Sequence, residues 1–187
     1  MRGDYHKGLN AQELRKNDYE NAKEHLLKAI TLLPGYVDAL SSLGGIYRRE
    51  GDYQNALEYY ERAYRADTNS SYALGNVASL SLYLGKKDEA NYYYLLTEAT
   101  ATVRTKEPYS EIYWDYYDLA LAQLVLGKVE DAKKNYQKAI GYTPGTAQFD
   151  SVLNALYFLQ NAKEPIKGLD DVVETIEKEK STKIALG

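Results

Sequence analysis

Glycine or asparagine punctuates this chain on a fixed ruler. Asn17, Gly51 and Gly85 stand 34 residues apart, Gly127 follows after 42, and Asn161 after a further 34. Glycine takes up a left-handed backbone without a Cβ clash, and asparagine tolerates it better than most residues, so each mark is a place where a helix can end. The stretch Leu43 to Ala63, LGGIYRREGDYQNALEYYERA, shows the surroundings of one mark: an amphipathic helical pattern before Gly51 and another after it. A period near 34 residues with two helices per period describes an array of helical hairpins. No strand pattern competes with it.

Small residues keep the same ruler. Ala22, Ala56, Ala90 and Ala132 fall five residues after the marks, and Ala29, Ala63 and Ala139 seven later, with Thr97 in the third copy. Asn10, Gly44, Ala78 and Ala120 lie seven before the marks. Short side chains at these places let the two helices of a hairpin approach closely.

These positions resemble the tetratricopeptide repeat family, most fully in Val37 to Ser70, with Leu43, Gly44, Tyr47, Gly51, Ala56, Tyr60 and Ala63. Pro34 and Pro144 occupy the family's terminal proline, while Thr68 and Thr102 replace it in the two middle copies, where the helix is expected to stop less sharply. The resemblance implies an all-α solenoid, a right-handed superhelix, with repeats at 3–36, 37–70, 71–104 and 113–146 and an eight-residue insertion at 105–112. Capping helices are expected over 147–180 and a frayed or linker tail over 181–187. With no polar cap before the first helix, the stretch reads equally as a fragment of a longer protein or as a whole one.

Composition bounds the function. The 187 residues are 44% hydrophobic and 27% charged, ordinary for a folded globular chain. No apolar run approaches the ~20 residues a membrane span needs, and MRGDYHKG lacks the apolar core of a signal peptide; the compartment stays open, with the cytoplasm favoured. There is no cysteine, hence no disulfide, thiolate nucleophile or cysteine-bound metal. A net charge of −4 argues against nucleic acid as partner. Twenty tyrosines against two phenylalanines bring many hydroxyls that require water or a hydrogen-bond partner.

Acidic residues recur near the start of each second helix: Asp18, Asp52, Asp88, and the pair Glu130 and Asp131. There they oppose the positive end of the helix dipole, which makes them structural rather than catalytic. The insertion is placed between a helix Asp88 to Thr105 and a helix Tyr109 to Leu126, each arm gaining about one turn, with Pro108 at the bend. Tyr109, Tyr113, Tyr116 and Tyr117 then share one face, either packed on Tyr92, Tyr93, Tyr94 and Leu95 or exposed as an aromatic surface. After Pro144, a helix Ala147 to Gln160 turns Phe149, Val152, Leu153, Leu156 and Tyr157 inward. A last helix, Leu169 to about Lys180, sets Leu169, Val172, Val173 and Ile176 against Asp170, Asp171, Glu174, Glu177 and Glu179. That pattern suits a cap, or alternatively a dimerisation helix.

Chemistry is sparse. His6 and His25 lie on different helices without clustered carboxylates, Gly44 and Gly45 lie mid-helix rather than in a phosphate loop, and paired acids follow the repeat. No enzyme, cofactor or metal is expected. The family implies ligand contacts from the first helix of each repeat. They fall at Asp4, Lys7, Ala11, Leu14 and Arg15, then at Asp38, Ser41, Ser42, Gly45, Arg48 and Arg49. The third repeat contributes Tyr72, Gly75, Asn76, Ser79, Leu82 and Tyr83, and the fourth Trp114, Tyr117, Asp118, Leu121, Leu124 and Val125. The first half is small and basic, the second aromatic and apolar.

A protein or peptide partner is therefore expected in the groove, met by Arg48, Arg49, Asn76, Tyr72, Tyr83, Trp114 and Tyr117. Arg48 and Arg49 also read as a solvated helix end beside Gly51. The alternative is an assembly component that homo-oligomerises through its end helix or tyrosine elbow. The carboxylate clamp of chaperone-binding members is not present: Lys7 fits, but Ala11, Ser42, Tyr72 and Asn76 occupy its other places. YALGNVASLSLYLG with EIYWDYYDLALAQLVLGKVEDAKKNYQKAI is also similar, more weakly, to the repeat region of TRAF-binding MAP kinase kinase kinases.

Overall fold

The computed structural model describes residues 18–106, 108–109 and 111–186, and they form nine helices and no strand. Helix α1 covers 18–32 among the described residues. It is followed by α2 (Val37–Glu50), α3 (Tyr53–Ala66), α4 (Ser71–Tyr83), α5 (Lys87–Arg104), α6 (Ile112–Val125), α7 (Val129–Tyr142), α8 (Thr146–Gln160) and α9 (Leu169–Leu186). None of these helices is long and apolar enough to cross a membrane. The fold is all-α, built of helical hairpins, and divides into two compact units, 1–73 and 74–187.

The glycine marks end helices as their chemistry requires. Gly51, Gly85 and Gly127 have φ of 81°, 79° and 80°. At each, two amides fold back onto otherwise orphaned carbonyls. Gly51 N–H donates to Arg48 O (3.2 Å) and Asp52 N–H to Tyr47 O (2.9 Å), and the same pair of bonds closes α4 and α6. Asn161 departs from the expectation with φ −91°. Its side-chain amide donates to Tyr157 O (2.8 Å), serving the carbonyl that a backbone amide serves in the glycine caps.

In the first unit, α1, α2 and α3 enclose Ile30, Ala39, Leu40, Leu43 and Ala63 with Ala73 from the first turn of α4. Asp52 caps α3 by accepting Asn55 N–H (3.2 Å). Helix α3 stops sharply despite Thr68: Asp67 is extended, and its carboxylate accepts Asn69 N–H (2.9 Å), forming the turn that proline would have forced.

In the second unit the insertion is spent differently from the expectation. Helix α5 carries 18 residues, but α6 carries only 14 and starts at Ile112, so one arm alone is lengthened. Pro108 disfavours helix before it, and Tyr109, outside the helix, donates its hydroxyl to Asp115 Oδ2 while its carbonyl accepts Ile112 N–H (3.3 Å). Tyr113 and Tyr117 join Tyr136, Phe149, Leu156 and Ile176 in a core shared by α6, α7, α8 and α9, and Tyr116 stacks on Tyr142 at 5.7 Å. A second cluster holds Tyr94 among Ala78, Ala90 and Ala122.

The end of the chain is more ordered than the sequence suggests. Leu169, Val172, Val173 and Ile176 are buried, and Asp170, Asp171, Glu174, Glu177 and Glu179 are exposed, as a capping face requires. Residues 181–186, expected to fray, continue α9. Lys183 Nζ donates to Thr143 O and lies 5.7 Å from the Phe149 ring centroid, holding the last turn down. Tyr157, expected inward, is exposed and donates to Glu177 Oε1 (2.5 Å).

Candidate functional site

The seven residues singled out for ligand contact fall into both units, Arg48, Arg49 and Tyr72 in the first and Asn76, Tyr83, Trp114 and Tyr117 in the second. In the first unit, a groove of about 970 Å³ runs along α2. Five of the six α2 positions named above line it: Asp38, Ser41, Ser42, Gly45 and Arg49. Tyr72 and Ser70 add polar groups, and Tyr19, Ala22, Leu26, Val37 and Ile46 give it apolar walls. Arg48 is not among its lining residues and is half-buried in the last turn of α2. The positions expected from the first helix of repeat one, Asp4 to Arg15, lie outside the described residues.

Glycine at 45 opens the floor of this groove. A Cβ there would stand 3.4 Å from Tyr60 Oη and 3.8 Å from Arg49 Nη1, so the missing side chain brings the guanidinium and a phenol to one place. Tyr60 Oη lies 3.3 Å from Tyr72 Oη, with the rings edge to face at 5.9 Å. Burial raises the Tyr60 hydroxyl pKa far above its usual value, the Tyr72 contact adds to this, and the Arg48 and Arg49 charges oppose it. Tyr60 is thus a fixed neutral hydroxyl, and Tyr72, 60% exposed, presents its ring to solvent. The Arg49 guanidinium, the Tyr60 and Tyr72 phenols and three serine hydroxyls make a set suited to a peptide backbone and to a carboxylate placed at Arg49, away from the Asp18 and Asp38 carboxylates that also line the groove, beside a surface that accepts apolar side chains.

The second unit treats its four residues differently. Tyr117 is 4% exposed, with Oη 3.0 Å from Thr143 Oγ1, and burial pushes its hydroxyl pKa up to about 12. Asn76 is 8% exposed. Tyr83 is half-buried under Phe158, stacked at 4.4 Å, and Trp114 is half-buried against Tyr113 and Tyr117. Two of the four are therefore core residues and two are partly covered rings.

Asp118, expected among the groove contacts, instead pairs with a second carboxylate of α6, Asp115, which the sequence did not single out. Asp115 is buried, accepts the Tyr109 hydroxyl and sits 3.7 Å from Arg104 Nη1. Asp118, one turn on, keeps some surface open but lies deep in the packed layer. Burial first, then repulsion from Asp115, pushes its pKa up to about 7, against the pull of Arg104. Spacing alone gave no sign of this, because the partners come from α5 and from the loop before α6. Among the described residues, no group of three histidine, aspartate or glutamate side chains is arranged to hold a metal.

The sequence signature of the tetratricopeptide repeat matches residues 12–71 and again residues 116–146. The chain is 28% identical over 127 residues to the type IV pilus assembly protein PilF of Pseudomonas aeruginosa, covering 68% of this chain and 48% of that protein. It is 31% identical over 83 residues to anaphase-promoting complex subunit 3 of Schizosaccharomyces pombe, covering 44% of this chain and 12% of that one. The chain thus spans about half or less of the curated relatives it matches. Among solved structures it is similar to MamA (TM-score 0.53, 24% identity, 93% of each chain). It is also similar to pilF of Pseudomonas aeruginosa (TM-score 0.54, 21% identity, 97% of this chain and 87% of that one). These two likenesses bear on fold. With nine helices among the described residues, glycine-capped hairpins and two matched segments, the chain is an all-α protein that carries tetratricopeptide repeats over 12–71 and 116–146, a fold of protein-interaction scaffolds.

Proposed function

We propose that the groove along α2 binds an extended peptide segment of a partner protein. The segment sets an acidic group against Arg49 and the Tyr72 hydroxyl, and apolar side chains against Tyr19, Leu26 and Ile46. The observation that carries this is the gathering of five of the six α2 positions around one groove whose floor Gly45 leaves open. The names of the two curated relatives, a pilus assembly protein and a subunit of a multiprotein complex, fit a scaffold that holds other chains together. Selection of peptides from a displayed random library tests it. Wild type should enrich sequences pairing Asp or Glu with large apolar residues. Arg49→Glu should lose the acidic preference, and Gly45→Gln should lose binding altogether. Enrichment unchanged by both substitutions would remove the groove from the function.

A second reading is assembly of the chain with itself. The end helix is a poor route, because the apolar residues Leu169, Val172, Val173 and Ile176 of α9 are already buried within the chain. The elbow is the better one, since Tyr92, Leu95 and Val103 of α5 are exposed.

A further inference from the structure

Helices α3, α5 and α7 occupy the same place in successive hairpins, as the aligned alanines Ala56, Ala90 and Ala132 show. Their outer faces are not alike. At three matching positions α3 carries Glu58, Glu61 and Arg65, and α7 carries Lys134, Gln137 and Gly141. Helix α5 carries Tyr92, Leu95 and Ala99 there. Between Glu89 and Arg104 the only charge is Glu98, and that carboxylate is held by Lys128 Nζ at 2.6 and 2.8 Å. Tyr92 is 59% exposed, Leu95 52% and Val103 63%. The spacing of 92, 95, 99 and 103 keeps these residues on one side of the helix, opposite the buried Ala90, Tyr94, Thr97 and Ala101. Helix α5 is therefore apolar on two opposite faces, and only one of them is covered by its own chain.

The ends of the stripe are charged and of opposite sign. Asp88 lies on the same side in the first turn, and Lys106 follows the helix on that side, its amide bonded to Val103 O (3.2 Å); both are exposed. We infer that this face of α5 pairs with the same face of a second copy of the chain, antiparallel, about a two-fold axis opposite residue 97. The inference rests on the assembly reading and supplies its surface and register. In that register the second copy's Lys106 faces Asp88, its Thr102 and Val103 face Tyr92, and its Ala99 faces Leu95. Each large side chain meets a smaller one, each charge meets its opposite, and Ala99 lets two helices approach to about 8–10 Å. A parallel pairing would set Asp88 on Asp88, Lys106 on Lys106 and Leu95 on Leu95. The four-residue lengthening of α5 is what carries the stripe out to Val103 and Lys106.

The size of the contact sets its strength. From Asp88 to Lys106 the stripe runs about 27 Å at 1.5 Å per residue. One helix face of that length buries less than the ~800 Å² per partner of a standard interface, so the dimer is weak and concentration-dependent.

Sedimentation velocity of the whole chain at low salt, across three decades of concentration, tests the pairing. Wild type should pass from monomer to dimer. Leu95→Glu, at an exposed position that leaves the fold and its circular dichroism intact, should weaken the dimer ~100-fold by burying two carboxylates in place of two leucines. Asp88→Lys alone should weaken it about 3- to 10-fold, and Asp88→Lys with Lys106→Asp should restore it. A wild type that stays monomeric throughout overturns the assembly reading together with this surface, and leaves the stripe to a different protein. A dimer that survives Leu95→Glu overturns the α5 surface while leaving self-assembly standing. A dimer that is lost in Leu95→Glu, but whose weakening by Asp88→Lys is not reversed by the added Lys106→Asp, overturns the antiparallel register.

Discussion

The Cβ that Gly44 lacks would stand 2.9 Å from Cδ2 and Cε2 of Tyr60, inside the contact distance of carbon atoms. The Tyr60 ring is fully buried across the hairpin, with its hydroxyl fixed near Tyr72, so it has nowhere to swing. In the next two hairpins, Ala78 and Ala120 take the place of Gly44, and Tyr94 and Tyr136 that of Tyr60. Gly44→Ala should therefore destabilise the fold, with overpacking of about 1–3 kcal/mol outweighing a helix-propensity gain of about 1. Gly75, also inside a helix, has nothing within 4 Å of its absent Cβ, and Gly75→Ala should stabilise by about 0.5–1 kcal/mol. Urea denaturation midpoints that move in opposite directions for the two variants confirm the distinction.

The buried tyrosines differ in how their hydroxyls are satisfied. Tyr94 Oη lies 3.2 Å from Ser79 Oγ, whereas Tyr136 Oη finds no hydrogen-bond partner among the described residues and nor does Ser81 Oγ. Tyr136→Phe and Ser81→Ala should each be neutral or stabilise by up to about 1 kcal/mol, because each removes a buried hydroxyl that gains nothing for its desolvation. Tyr94→Phe should cost about 1 kcal/mol by breaking a made bond. Equal losses at residues 94 and 136 would refute the difference.

Asp118 gives the second unit a pH dependence opposite in sign to that of an ion-paired carboxylate. Burial and Asp115 lift its pKa from the ordinary 3.8 to about 7, so between these values the folded chain holds a proton that the unfolded chain has released. The stability this provides is complete below about pH 4 and is lost as pH rises towards 7. Asp118→Asn should flatten that fall in a series of unfolding midpoints, and should leave the variant more stable than wild type at pH 8. A parallel pair of curves would mean that Asp118 is ionised throughout.

The periodic features were the ones the sequence showed. Gly51, Gly85 and Gly127 end helices, and Ala56, Ala63, Ala90, Ala132 and Ala139 are fully buried where hairpins close, because a backbone need or a close approach admits only small residues. The positions along α2 were legible for the same reason, since the repeat register fixes which side of a helix they take. What the sequence concealed depends on single long-range partners. Tyr109 leaves the helix for Asp115, Tyr113 and Tyr117 turn towards α7 and α8, and Phe158 covers Tyr83. The outer face of α5 did leave a signal, an uncharged stretch broken only by Glu98, but tyrosine and leucine at helical spacing also describe a core. Only the exposure of Tyr92, Leu95 and Val103 separates the two.

Lys183 offers the sharpest test of the chain end. STKIALG reads as a tail, yet its first six residues extend α9, and Lys183 donates to the carbonyl of Thr143, whose own residue is 2% exposed at the end of α7. That carbonyl lies too deep to recover a water partner easily, so losing the ammonium should cost about 1–3 kcal/mol. Deleting residues 181–187 should lower the unfolding midpoint, and Lys183→Met, which keeps the apolar stem over Phe149, should reproduce most of the loss. Hydrogen exchange adds a local reading: amides of 181–186 should be protected in wild type and exchange freely in Lys183→Met. A truncated chain as stable as the full one would return these residues to a frayed tail, and would leave the Thr143 carbonyl satisfied by another route.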